Sequence, residues 1–303
     1  MKIAVTGATG FVGIELVKQL LQHGHSVRAW HRESSNLDPL LRLPDASNSL
    51  ELIRGSLGDG NERQLIDGCD AVVHSGLWRE SQSFQQPPTS LTRYAEVNVL
   101  GSLALMETAI ECQVERFIFL STCAVHDVIL DDRPLDEAHP LWPKTHYGAH
   151  KAAIETFVHS LGLGQGFPIC SLRPTGIYGV KTNVEDSKWY PLIQRIIGNE
   201  TIEVARGGKE VHVSDVAKSI RILLDAEPDQ IAGQSFACYD RYISEYDVAT
   251  IAKAISASQA TILGEQRRPK NQINTKKIQD LGMSFGGQPL LEITIGRLIA
   301  LAR

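Results

Sequence analysis

Residues 2–13, KIAVTGATGFVG, constrain the chain more than any other stretch. Ile3, Ala4 and Val5 form a short apolar run suited to a buried parallel strand, and Thr6-Gly7 ends it. Phe11, Ile14, Leu16, Val17, Leu20 and Leu21 continue at helical spacing. The segment therefore reads strand, glycine-rich turn, helix. Gly7 permits the tight turn, Gly10 leaves the outer face of the turn bare, and Gly13 lets the helix pack close to the strand. Backbone N–H groups at the helix start, with the positive end of its dipole, make such a turn a cradle for an anion. A dinucleotide diphosphate is expected against Gly7, Thr9, Gly10, Phe11, Val12 and Gly13. The spacing is G-x-x-G-x-x-G rather than G-x-G-x-x-G, so its position between a first strand and a first helix carries the reading.

The rhythm continues. Residues 25–30, 50–54, 70–74, 116–121 and 168–172 read as further strands, alternating with helical patterns at 61–67, 91–112 and 147–161. Residues 34–49, broken by Pro39 and Pro44, read as a loop with at most a short helix, and 78–90 and 126–144 read as loops. Strands alternating with helices predict an α/β fold, a doubly wound parallel (Rossmann) sheet, with ligands at the carboxyl ends of its strands. After Thr175 the pattern changes to helices at 186–197, 215–224, 246–257, 275–280 and 291–302 with one short strand at 202–205. The expected division is a dinucleotide-binding domain over 1–173 and a smaller substrate-binding region over 174–303, with 211–225 packing back on the first.

The turns after the strands place Arg32, Ser56, Leu57, Ser75 and Gly76 on the ligand rim. At the end of the second strand an acidic residue would accept hydrogen bonds from an adenosine ribose. Here the run is Val27-Arg28-Ala29-Trp30-His31-Arg32, with no acid, and an arginine pairs with a 2′-phosphate. The expected cofactor is NADP in preference to NAD, with Arg32 on the phosphate.

Tyr147 and Lys151 are spaced Y-x-x-x-K on a helical pattern, and residues four apart share a face. An ammonium beside a phenol favours the phenolate, so Lys151 is expected to lower the Tyr147 pKa from its reference near ~10. A tyrosine so tuned exchanges a hydroxyl proton while hydride moves to or from a nicotinamide. Ser121 and Thr122, ending the fifth strand, put a hydroxyl beside it.

Composition removes other classes. A net charge of −5 and a pI near 6.1 argue against nucleic acid as partner. Cys69, Cys112, Cys123, Cys170 and Cys238 include no C-x-x-C pair, which suits reduced thiols. No apolar run approaches the ~20 residues that span a bilayer, and a leader peptide would cut into the first strand. A cytoplasmic protein with no membrane partner is expected. His126, His139 and His146 lack metal-ligand spacing, so no metal is expected.

TGATGFVG, VVHSG, VNVLGS, FIFLST, YGAHK and LRPTGIYG occur in the order found in extended short-chain dehydrogenases/reductases, the NAD(P)-dependent epimerase/dehydratase group. VHVSDVA at 211–217 extends this resemblance into the second half. The resemblance implies a triad of Thr122, Tyr147 as acid/base and Lys151 on the nicotinamide ribose, with Asn98 supporting a proton relay. It places Ser56 and Leu57 near adenine, where the family has Asp-Leu, and Pro174 and Thr175 at the nicotinamide end. It implies homodimers formed through the helices at 91–112 and 147–161. Family 4,6-dehydratases carry Asp-Glu after the catalytic Thr; this chain has Cys123-Ala124. Gly208-Lys209-Glu210 stands where many nucleotide-sugar enzymes have Arg-Asp-Phe, and His126-Asp127 replaces Tyr-Gly. The expected activity is hydride transfer between nicotinamide and a secondary alcohol or carbonyl. The alternatives are a nucleotide-sugar epimerase that retains NAD and a non-catalytic dinucleotide sensor, which often lacks Y-x-x-x-K.

Overall fold

The computed structural model describes residues 1–80 and 86–303; the middle of the expected loop at 78–90 lies outside the described residues. The strands in chain order are β1 (Lys2–Thr6), β2 (Ser26–His31), β3 (Leu50–Arg54), β4 (Ala71–His74), β5 (Arg116–Leu120), β6 (Ile169–Pro174), β7 (Gly176–Tyr178), β8 (Thr201–Val204), β9 (Gly207–His212), β10 (Gln234–Cys238), β11 (Arg241–Ser244) and β12 (Thr261–Gly264). Two compact units result. The first is Met1–Pro174, Val216–Cys238 and Asn274–Met283; the second is Thr175–Asp215, Tyr239–Ile273 and Ser284–Arg303.

The first unit is built on a seven-stranded sheet in the order β10-β6-β5-β4-β1-β2-β3, parallel throughout. Ile3, Ala4, Val5, Val72, Val73, Phe117 and Ile118 have no more than trace exposure, as strands covered on both faces require. The helix Phe11–Gln22 buries Leu16, Val17, Leu20 and Leu21. It stops at Gly24, which takes the left-handed conformation (φ 77°) and donates its N–H to the Leu21 carbonyl. The order of strands reverses between β1 and β4, so the crevice at their carboxyl ends is where this architecture receives ligands.

The strands β7, β9, β11 and β12 depart from the sequence expectation of one short strand after Thr175, and three further departures lie in the first unit. The seventh strand, β10, pairs with β6 in parallel register, Gln234 opposite Cys170 through Cys238 opposite Pro174. The polar stretch after β2 holds two short helices, Asp38–Leu41 and Ala46–Ser49. The expected single helix over 91–112 carries a π-turn, Glu96–Leu100, between Leu91–Ala95 and Gly101–Glu111. Such turns mark functional positions disproportionately, and this one contains Asn98.

The second unit holds a three-stranded sheet, β11-β9-β7, and a pair, β12-β8. The helices Tyr190–Ile197, Glu245–Ser256 and Gly287–Ala302 close its core around Ile193, Ile202, Val248, Leu291 and Ile295. Glu210 of β9 is buried (3 % exposed) and paired with Lys188, its carboxylate lying against the bare backbone of Gly176 and Gly208. Trp189 packs with this core and Trp78 with the core of the first unit, while Trp142 is exposed.

Candidate active site

The glycine turn separates two needs. A Cβ on Gly13 would stand 2.1 Å from the Gly7 carbonyl oxygen, and Gly7 has φ 72° with the Ser75–Gly76 backbone just past β4 2.8 Å from its own missing Cβ. Both are glycines because the fold leaves no alternative. Gly10 differs. Its backbone is extended (φ −81°, ψ 171°), and a Cβ would meet only one atom within 4 Å, the Gly7 oxygen at 3.2 Å. Folding asks little of Gly10; its bareness serves the outer face of the turn, where a diphosphate would lie against the helix start. The residues present therefore fit a dinucleotide. Thr9 Oγ1 reaches Ser35 Oγ (3.5 Å), which also accepts from the Arg32 backbone N–H (3.1 Å), so the turn is linked to the loop after β2.

Arg28 and Arg32 have separate fates. Arg28 is spent on Glu51 and on the Gln64, Leu65 and Asp67 carbonyls. Arg32 is exposed, and its guanidinium makes no hydrogen bond or ion pair among the described residues. Ser56 donates to Asp59 (2.9 Å), and Leu57 is in the core. Ser75 Oγ donates to the Thr6 carbonyl (2.7 Å), and the Gly76 N–H donates to Thr6 Oγ1 (3.0 Å). Pro174 ends β6; Thr175, the next residue, opens the second unit and carries a buried hydroxyl without a partner among the described residues.

The helix His146–His159 begins at Thr145, whose side chain caps the Gly148 N–H. Its first turn presents Tyr147 to a cavity of about 300 Å³ lined by Leu77, Arg79, Glu80, Tyr94 and His146. Thr122, just past β5, hydrogen-bonds Tyr147, which favours the phenolate, as does the Arg79 charge; burial outweighs both and holds the Tyr147 pKa above its ordinary value. This corrects the expectation that Lys151 tunes Tyr147 downward. Lys151 Nζ turns instead to the Leu120 carbonyl (2.7 Å), over the Phe119 ring at 4.5 Å. Burial lowers its pKa to about 7, against the opposing charge of Glu155. The structure brings Tyr147 and Thr122 together and buries Lys151 behind them.

Asn98 goes elsewhere. Its Oδ1 accepts from the Trp78 N–H (2.9 Å), and its Nδ2 donates to the Trp78 and Tyr94 carbonyls (3.0 and 3.1 Å). The side chain thus holds the backbone next to Arg79. Tyr94 in turn bonds His150 Nδ1 (2.8 Å), whose ring packs edge-on to Tyr147.

Two residues that the motifs did not single out complete the site. Arg79 lines the cavity, and only its neighbourhood in space reveals it. Arg173, 1 % exposed, uses all five N–H donors: on Glu155 through Nε and Nη2, on Ser235, on the Glu137 carbonyl and on His126 Nε2. An arginine only donates, so His126 is neutral with its proton on Nδ1, facing the Pro140 carbonyl (3.3 Å). Burial and the Arg173 charge lower the His126 pKa to about 4. Arg173 thereby ties the loop after Thr122 to the helix of Tyr147. Among the described residues no group of three or more His, Cys, Asp or Glu is arranged to hold a metal, and no helix is long and apolar enough to cross a membrane.

The family model described as "NAD dependent epimerase/dehydratase family" matches residues 3–237. The chain is 36% identical over 318 residues to dihydroflavonol 4-reductase of Hordeum vulgare, covering 93% of this chain and 84% of that protein. It is 27% identical over 311 residues to dihydroflavonol 4-reductase of Arabidopsis thaliana, covering 93% and 78%. The solved structure of UDP-glucuronic acid 4-epimerase from Bacillus cereus, in complex with UDP-glucuronic acid and NAD, matches with a TM-score of 0.80 over 100% of this chain and 99% of that one; at 19% identity the likeness is one of fold. By sequence and by architecture, the chain belongs to the NAD-dependent epimerase/dehydratase family and is an NAD(P)-dependent enzyme of the extended short-chain dehydrogenase/reductase type.

Proposed function

We propose that the protein is an NADP-dependent reductase of a ketone or aldehyde. The observation that carries this reading is the hydrogen-bonded pair Thr122–Tyr147 facing a cavity at the carboxyl edge of the sheet. A raised pKa keeps Tyr147 protonated at neutral pH, the form that reduction needs, because the phenol gives its proton to the carbonyl oxygen as the alcohol forms. Thr122 Oγ1 accepts from the Ala124 N–H (3.1 Å), which leaves its proton for Tyr147 or for the substrate oxygen. Bound NADPH supplies the hydride. Gly7, Thr9, Gly10, Phe11, Val12 and Gly13 would hold its diphosphate, Arg32 its 2′-phosphate, and Ser56 and Leu57 its adenine. Ser75, Gly76, Lys151, Pro174 and Thr175 would meet its nicotinamide half. Asn98 acts by fixing Trp78.

The two relatives named above are reductases by name, and the Arg32 side chain supports NADP over NAD. Five free cysteines suit a reducing, cytoplasmic location, and a homodimer through the helices at 91–112 and 147–161 fits the exposed Leu91, Leu100 and Phe157. The test is a panel of dihydroquercetin, benzaldehyde, cyclohexanone, UDP-glucose and UDP-galactose, scored by NADPH oxidation and by product chromatography. Alcohol formed in step with NADPH consumed is the expected result. Epimer formed without net cofactor oxidation would establish the epimerase instead.

A further inference from the structure

A chain of buried hydrogen bonds leaves the glycine turn and ends at the cavity wall. Thr6 and His74 are the last residues of β1 and β4 and lie opposite each other in register. Thr6 Oγ1 meets His74 Nδ1 at 2.7 Å, and His74 Nε2 meets Ser102 Oγ at 2.8 Å. Ser102 Oγ donates to the Asn98 carbonyl in the π-turn. Thr6, His74, Ser102 and Asn98 are each no more than 2 % exposed.

The proton positions follow from counting. Ser102 has one proton and spends it on Asn98, so it accepts from His74, and Nε2 carries a hydrogen. Burial, reinforced by the Lys151 charge, pushes the His74 pKa down to about 3, so the ring is neutral and Nδ1 accepts from Thr6. Thr6 Oγ1 accepts in turn from the Gly76 N–H. At the far end, Asn98 clamps both backbone polar groups of Trp78. Trp78 stands between Leu77 and Arg79, two walls of the Tyr147 cavity.

We propose that His74 is a positioning residue that couples the dinucleotide turn to the Tyr147 cavity, its Nδ1 arm fixing the turn and its Nε2 arm fixing Asn98 and through it Trp78. The proposal rests on the reading of these two places as cofactor and substrate sites. Phe117 and Phe119 pack on the ring (6.4 and 5.5 Å between centroids), so it has no freedom to exchange one arm for the other.

Conservative variants separate the arms. In His74→Asn the amide oxygen replaces the Nδ1 acceptor and the Ser102 arm is lost. In His74→Gln the amide N–H replaces the Nε2 donor and the Thr6 arm is lost. Thr6→Val and Ser102→Ala cut the same arms from the other side without touching the ring, and they serve where the histidine variants fold poorly. His74→Asn and Ser102→Ala should keep NADPH affinity within about twofold and speed amide exchange in the peptide around Trp78. They should also lower kcat/KM about tenfold for the fastest-reduced carbonyl of the panel above. His74→Gln and Thr6→Val should weaken NADPH binding about tenfold, with kcat at saturating cofactor preserved; tenfold lies within the range for a lost buried hydrogen bond. Equal effects of both pairs on NADPH affinity and on Trp78 exchange, or no effect of either, would overturn the coupling. Wild-type protein that binds no NADPH would instead overturn the underlying reading.

Discussion

Replacing Lys151 with methionine should abolish turnover and, at neutral pH, make the protein more stable. Lys151 is 3 % exposed, and its pKa falls from 10.5 to about 7. At ~1.4 kcal/mol per unit, protonating it costs about 5 kcal/mol more in the folded chain than in the unfolded one. The sign is set by which state holds the proton. Between pH 7 and 10.5 the unfolded chain binds it and the folded chain releases it, so stability rises with pH through that window; below pH 7 the whole penalty stands. Lys151→Met removes the penalty but leaves the Leu120 carbonyl without its donor, a cost of about 1–3 kcal/mol. The net gain near pH 7 is about 1–3 kcal/mol, or roughly 2–10 °C in melting temperature. As pH rises the wild type recovers its penalty, so the two curves should cross at roughly pH 8–10. The assay is thermal denaturation of both proteins without cofactor at four pH values from 6.5 to 9.5. A variant less stable at every pH, or a difference that does not change with pH, would refute the reasoning.

Gly10→Val should still fold, at a modest cost in stability from the 3.2 Å approach of its Cβ to the Gly7 oxygen, and fail to bind NADPH; fluorescence titration and a melting curve check both halves. Arg32→Ala should weaken NADPH binding about 10- to 100-fold, the equivalent of a charge-assisted hydrogen bond, and leave NADH binding unchanged. Glu155→Gln should destabilise by about 3–5 kcal/mol, since Arg173 would keep its charge in the core without a countercharge; chemical denaturation measures it.

What could be read in the sequence was what depends on local pattern. β1 to β6 are apolar runs bounded by turn residues, and the glycine turn declares itself by its neighbours. Tyr147 and Lys151 stood out by spacing, yet spacing said nothing of burial. Burial holds the Tyr147 pKa above its ordinary value, opposite to the shift expected from spacing, and Lys151 donates to the Leu120 carbonyl. β10 was missed because its pairing with β6 joins segments far apart in the chain. The π-turn at Asn98 was hidden because one extra residue per turn leaves the apolar spacing of a long helix almost intact. Arg79 belongs to no motif and Arg173 is an unremarked member of LRPTGIYG: one is defined by a cavity, the other by four partner residues distant in the chain.

The central claim is that Tyr147 gives the proton while a nicotinamide gives hydride to a carbonyl carbon. NADPH carrying deuterium at the transferred position of the nicotinamide tests it directly. Wild-type protein should place one deuterium on the carbinol carbon of the alcohol product, read by mass spectrometry, with one NADPH consumed per alcohol. Tyr147→Phe should bind NADPH as the wild type does and form labelled alcohol 10²–10⁴-fold more slowly, the usual worth of a positioned proton donor. Labelled alcohol formed at an undiminished rate by Tyr147→Phe, or a wild-type product without deuterium, would contradict the account.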